Sequence, residues 1–203
     1  MKVLIAYATQ EGHTQRVAEA VAEAVERRGF SSVVLDTRVF DEVDLRAFGA
    51  AILTAPVHRG RHEESMVRFV QAHRTGLSSL PTAFLSVSMS ARGAQDEDDT
   101  PKRRQEAADR VHEQMESFFD EVDWHPDREE AVAGALAYRE YGLVVRWVMK
   151  RIAKRTGADV DTSRDYIYTD WDALTHFAEE FCDSIEASQT PAKASSAGST
   201  STT

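Results

Sequence analysis

Apolar residues follow two rhythms along this chain. Short continuous runs occupy Lys2–Ala8, Ser32–Thr37, Ala50–Val57, Thr82–Ser88 and Ala131–Ala137. Runs of that length without polar alternation predict strands covered on both faces. The segments between them keep a helical period. In Thr14–Arg28, Val17, Val21 and Val25 recur every four residues beside Ala18, Ala22 and Ala24, and Gly29 follows as a C-terminal cap. Ser65–His73 predicts a second helix. Thr100-Pro101 opens a third, to about Phe119, because Thr caps a helix and Pro suits its first turn. Asp170–Ile185 predicts the last helix, with Thr169 and Asp172 spaced as a capping box. Five buried strands separated by helices imply a doubly wound parallel sheet, since parallel neighbours need crossover connections.

Two stretches fall outside that alternation. Residues 138–165 read as an insertion after the fifth strand, and residues 188–203, mostly Ser, Thr and Ala, as a disordered tail. The expected domain is therefore 1–187.

Charge and cysteine content narrow the function classes. Thirty-four acids against 24 Lys and Arg give a net charge of -10, which argues against a general nucleic-acid binder. Arg outnumbers Lys by 19 to 5, a surface suited to high salt. No apolar run is long enough to span a bilayer, and the chain enters its first strand without the apolar stretch of a signal peptide. A cytoplasmic location is the expectation. Cys182 is the only cysteine, so no intrachain disulfide or CxxC motif exists, and a buried apolar role is expected for it. The acidic run Gln95–Asp99 reads as a solvated loop, with no metal site expected.

The candidate chemistry lies after the first strand, where a doubly wound sheet binds its ligands. Thr9-Gln10-Glu11-Gly12-His13-Thr14 joins that strand to the first helix. Helix N–H groups, the Thr9 and Thr14 hydroxyls and a curl at Gly12 suit a phosphate. Neither GxGxxG nor GxxxxGK[ST] is present, and no Lys or Arg precedes Arg16. A monophosphate ester held by neutral donors fits better than a dinucleotide or a triphosphate.

Thr-x-x-Gly-x-Thr after an N-terminal strand resembles the phosphate loop of flavodoxins. The branch of menaquinone-dependent protoporphyrinogen dehydrogenases is the more similar. Leu80–Val87, Trp124–Arg128, Ala133–Tyr138 and Tyr168–Trp171 carry that resemblance, in the family's order, over about residues 1–185. It implies a flavodoxin-like α/β fold with strand order 2-1-3-4-5 and FMN as cofactor. The implied activity is oxidation of protoporphyrinogen IX, with electrons passed to menaquinone. An electron carrier and an NAD(P)H:quinone reductase share the fold.

In that geometry the flavin ring lies between Ala55-Pro56-Val57-His58, with the residues on to His62, and Ser88-Met89-Ser90, running on to Gly93. Neither segment offers Trp or Tyr to cover the ring. His58 and His62 read equally as cofactor-facing or as solvated loop residues, and Asp127 and Arg128 as a possible ion pair. Within Gly142–Arg155, Arg146, Lys150 and Lys154 form a basic stripe beside Trp147 on an amphipathic helix. Such a helix suits a substrate carboxylate or the surface of an anionic membrane, or simply covers its own domain.

Overall fold

The computed structural model describes residues 1–40, 42–136 and 166–189. The insertion, with Arg146, Trp147, Lys150 and Lys154, and the tail from residue 190 lie outside the described residues.

In chain order the elements are β1 (Lys2–Tyr7), α1 (His13–Arg27), β2 (Ser31–Asp36), β3 (Ala50–His58), β4 (Arg61–His62), α2 (Glu64–Leu77) and β5 (Thr82–Ser88). They continue as α3 (Met89–Gln95), α4 (Pro101–Val122), β6 (Arg128–Ala133), β7 (Ala135–Leu136), β8 (Tyr166–Ile167) and α5 (Trp171–Gln189). The main sheet runs β2-β1-β3-β5-β6, all parallel. This is the expected doubly wound order. It has a sixth strand, because β3 continues to His58 and turns back as the short antiparallel β4.

The continuous apolar runs make two cores. Side chains alternate across a strand, so Val3, Ile5 and Tyr7 of β1 face α1 and α5, while Leu4 and Ala6 face α2 and α4. Phe181 and Cys182 complete the first core, and Phe69, Phe84 and Phe119 the second. Burial pushes the Cys182 thiol up to about 11, in keeping with an apolar role.

Local chemistry departs from the expected pattern at several joints. β6 begins at Arg128 and breaks at Gly134, whose N–H bonds the Ser88 carbonyl at 3.0 Å. Asp127 and Arg128 do not pair with each other. The Asp127 carboxylate accepts from Thr82 N at 2.7 Å, and Arg128 reaches Glu180 at 3.5 Å. Residues 89–95 form α3 instead of a loop, because the Ser88 hydroxyl accepts from Ala91 N at 3.0 Å and caps a helical turn. Asp170, not Thr169, caps α5, accepting from Asp172 N and Ala173 N at 3.1 and 2.9 Å. The Thr100 cap and Pro101 stand as expected, and Gly29, with φ at 84°, ends α1.

His62 is neither solvated nor cofactor-facing. Its ring is buried against the stacked pair Phe84 and Phe118, with centroids at 5.3 and 4.9 Å. Its Nε2 lies 2.9 Å from the Ser86 hydroxyl, fastening β4 to β5. Burial lowers its pKa to about 4, against a smaller pull the other way from the Gln114 backbone.

A base whose folded pKa lies below its unfolded value binds more protons when unfolded. Its contribution is full above about 6.5 and is lost as pH falls towards 4. Urea unfolding at pH 7 and pH 5 should show a loss at the lower pH on the order of 2 kcal/mol from His62, with a further share from His13, whose pKa burial also lowers to about 4. His62→Gln should be less stable at pH 7 and should remove its own share of that dependence. A wild-type midpoint unchanged between the two pH values contradicts the assignment.

Candidate functional site

β1 and β3 are neighbours whose connections leave to opposite faces, so a crevice opens beyond their carboxyl ends. The loop between β1 and α1 enters it. Ala8 N bonds the Thr54 carbonyl at 3.0 Å, which fixes where the loop departs. The Thr9 hydroxyl then accepts from Gly12 N at 2.9 Å, closing a tight curl. Gly12 completes the curl in the left-handed region, with φ at 80°. A Cβ there would meet nothing within 4 Å, so the need for glycine is conformational.

That curl delivers the head of α1 bare. No side chain caps it and its first turn holds no acid. The first N–H groups of a helix have no partner within it, and the helix dipole adds partial positive charge there. α3, α4 and α5 are capped by Ser88, Thr100 and Asp170, and α2, which has no side-chain cap either, carries Glu64 in its first turn. The residues present fit a phosphate: unspent backbone donors, a buried Thr14 and a buried Thr9.

One cleft gathers most of the predicted residues. Thr9, Gln10, Glu11, His13 and Thr14 line it from the loop, Pro56, Val57 and His58 from β3, and Ser88 and Met89 from the β5–α3 joint. Gly12 shapes the curl behind it. Ala55 points into the core beside α2, and Ser90 lies one residue past the lining. Val87 and Ala135 also line the cleft. Val87 was legible only as the inner side of its strand, and Ala135 depends on the break at Gly134. A larger cavity, about 240 Å³ against about 120 Å³, lies between β6 and α5. Glu130, Asp170 and Glu180 border it, three acids against the one, Glu11, that lines the cleft, so it suits an anion less well than the cleft does.

His13 ties the cleft to the far side of the sheet. The Thr169 hydroxyl donates to the Ala133 carbonyl at 2.7 Å, which commits its only proton. Its oxygen can therefore only accept from His13 Nε2, 2.9 Å away. The imidazole is thus the Nε2–H tautomer, and burial, with a smaller push from Arg16, lowers its pKa to about 4. With the His13 ring neutral and Glu11 the loop's one acid, the positive potential there comes only from the backbone N–H groups and dipole at the head of α1. Arg16 itself lies over the Trp171 ring, 5.8 Å from its centroid.

The flavodoxin domain model matches residues 4–163. The chain belongs to the flavodoxin domain family. Within that breadth, an Escherichia coli (strain K12) protein named protoporphyrinogen IX dehydrogenase [quinone] is 31% identical over 180 residues, 89% of this chain and 94% of that one. A Leishmania major protein of the same name is 28% identical over 89% of this chain and 74% of that one. Among solved structures, rubredoxin oxygen:oxidoreductase from Desulfovibrio gigas superposes with a TM-score of 0.52 at 11% identity, over 92% of this chain and 36% of that one. A short-chain flavodoxin associated with a bacterial microcompartment gives 0.51 at 12%, over 91% of this chain and 99% of that one. These two likenesses concern the fold.

The His13–Thr169–Ala133 bridge carries its own prediction. Thr169→Val keeps the shape but leaves a buried donor and a buried carbonyl without their partner. Denaturant unfolding should show a loss of about 1–3 kcal/mol, and Thr169→Ser should restore most of it. Equal stability of all three proteins contradicts the bridge.

Proposed function

We propose that this chain is an FMN-dependent dehydrogenase that oxidises protoporphyrinogen IX to protoporphyrin IX and passes the electrons to a quinone, menaquinone among them. The observation that carries this reading is the correspondence with the Escherichia coli protein of that activity's name over 94% of that protein's length. The cleft supplies the physical side. The head of α1, with Thr9 and Thr14, would hold the FMN phosphate, and the lips formed by Pro56–His58 and Ser88–Met89 would flank the ring. When bound, FMN supplies the redox chemistry. The protein's part is to anchor the phosphate, orient the ring and leave one face open.

That open face separates a dehydrogenase from an electron carrier. Among the described residues neither lip presents a Trp or Tyr, which leaves room for an apolar substrate against the ring. Met89, 38% exposed, adds an apolar contact at the rim. The basic stretch with Arg146, Trp147, Lys150 and Lys154 supports a second contact, with an anionic lipid surface in which the quinone dissolves. No helix among the described residues is long and apolar enough to cross a membrane. A cytoplasmic protein that visits the inner face of the membrane accounts for both features.

Two measurements test the reading. Anaerobic mixing of the flavin-loaded protein with protoporphyrinogen IX should bleach the flavin absorbance, and adding a menaquinone should restore it. Flavin that stays oxidised removes the dehydrogenase reading and leaves an electron carrier; bleaching by a nicotinamide nucleotide instead points to a quinone reductase. Thr14→Val should weaken FMN binding about tenfold, one charge-assisted hydrogen bond's worth, and leave riboflavin, which lacks the phosphate, unchanged.

A further inference from the structure

The turn between β3 and β4 places an arginine where the backbone resists it. Both of its central residues are left-handed, Arg59 with φ at 52° and Gly60 with φ at 82°. A two-residue hairpin of this kind favours Asn, Asp or Gly at the first position, because a Cβ there crowds the following carbonyl. Such strain persists where the surroundings over-determine it, and it clusters at ligand clamps.

The surroundings here do over-determine it. Val57 pairs with His62 and His58 with Arg61 across the hairpin. Glu63 N bonds the Pro56 carbonyl at 3.1 Å, Arg61 reaches Glu121 at 3.3 Å, and the buried His62–Ser86 contact holds the base. The hairpin is therefore a rigid mount. What it carries is the Arg59 side chain, exposed and without an ion pair among the described residues, in a chain of net charge -10. His58, the residue before it, lines the cleft, and so does the exposed Met89 at the β5–α3 joint. The hairpin thus mounts an exposed guanidinium one residue from the His58 edge of the cleft, with the apolar Met89 on the other lip, which suits an anion built on an apolar ring system. Oxidised FMN bears its charge on the phosphate, and the phosphate has its donors at α1. The hairpin cation is left for a different anion.

We propose that Arg59 is a specificity-determining residue that receives a carboxylate of the substrate while the substrate's ring system lies over the Met89 side of the cleft. This rests on the porphyrinogen reading above. A guanidinium offers a carboxylate two parallel hydrogen bonds, which a lysine cannot reproduce in full.

The test uses the FMN-loaded protein and two stable probes, protoporphyrin IX with free carboxylates and its dimethyl ester, followed by fluorescence titration in a fixed detergent. Arg59→Asn keeps a residue at ease in the left-handed region and removes the charge, and Arg59→Lys keeps the charge. We expect Arg59→Asn to weaken the free acid about tenfold or more, to leave the diester and FMN unchanged, and to raise the melting temperature by a few degrees as strain is relieved. Arg59→Lys should retain part of the free-acid affinity. If the wild type binds the free acid and Arg59→Asn binds it equally well, the carboxylate role is wrong and the porphyrinogen reading stands. If Arg59→Asn loses FMN as well, the residue serves the cofactor and the inference is overturned. If the wild type binds neither probe, the porphyrinogen reading falls, and this inference with it.

Discussion

A helix that begins with no side chain to satisfy its first N–H groups needs something else to do so, and α1 begins this way at the crevice beyond the carboxyl ends of β1 and β3. The arrangement has a single geometric source. β1 and β3 lie side by side, yet their chains leave to opposite faces, so a crevice opens beyond them among the described residues. Gly12, left-handed, turns the chain sharply enough that the helix axis points into that space. A capping Ser or Asp at this position would have satisfied the donors locally and removed the attraction for an anion.

Two histidines, both kept neutral by burial, fasten the walls of the site: His62, buried behind the cleft, and the half-buried His13, which lines it. His62 fixes the hairpin to β5 through Ser86, and His13 fixes the loop to the segment before α5 through Thr169. Neutral imidazoles suit this work because each ring offers hydrogen-bonding nitrogen without the cost of burying a charge. The same choice makes both walls sensitive to acid, since protonation returns that cost. Tautomer matters too: a Thr169 hydroxyl already committed to Ala133 can only accept from His13.

The sheet was legible in the sequence because period-two burial on both faces leaves no alternative for runs such as Val3–Ala8. The curl between β1 and α1 was legible because its requirements are local: a strand end, a glycine and a helix start within six residues. Contacts between distant segments were not. His62 looks like a loop residue until β3 turns back on itself and carries it under Phe84. Thr169 carries a helix-cap signature, but Asp170 takes the cap and frees Thr169 for a bond to a residue 156 positions away. Ser88 reads as a cofactor ligand from its place after a strand; its hydroxyl oxygen also accepts from Ala91 N and caps α3, which leaves its proton for the cleft that it lines. In the first two cases one imidazole or hydroxyl had two chemically equivalent uses, and tertiary packing chose between them.

The central claim is that the bare head of α1 is a phosphate site and that the cleft beside it takes the attached flavin ring. A crystal structure of the FMN complex addresses it directly. The account predicts phosphate oxygens within hydrogen-bond distance of the His13 and Thr14 N–H groups, with the ring between His58 and Met89. FMN bound elsewhere, or a phosphate that leaves those two N–H groups facing solvent, would contradict it.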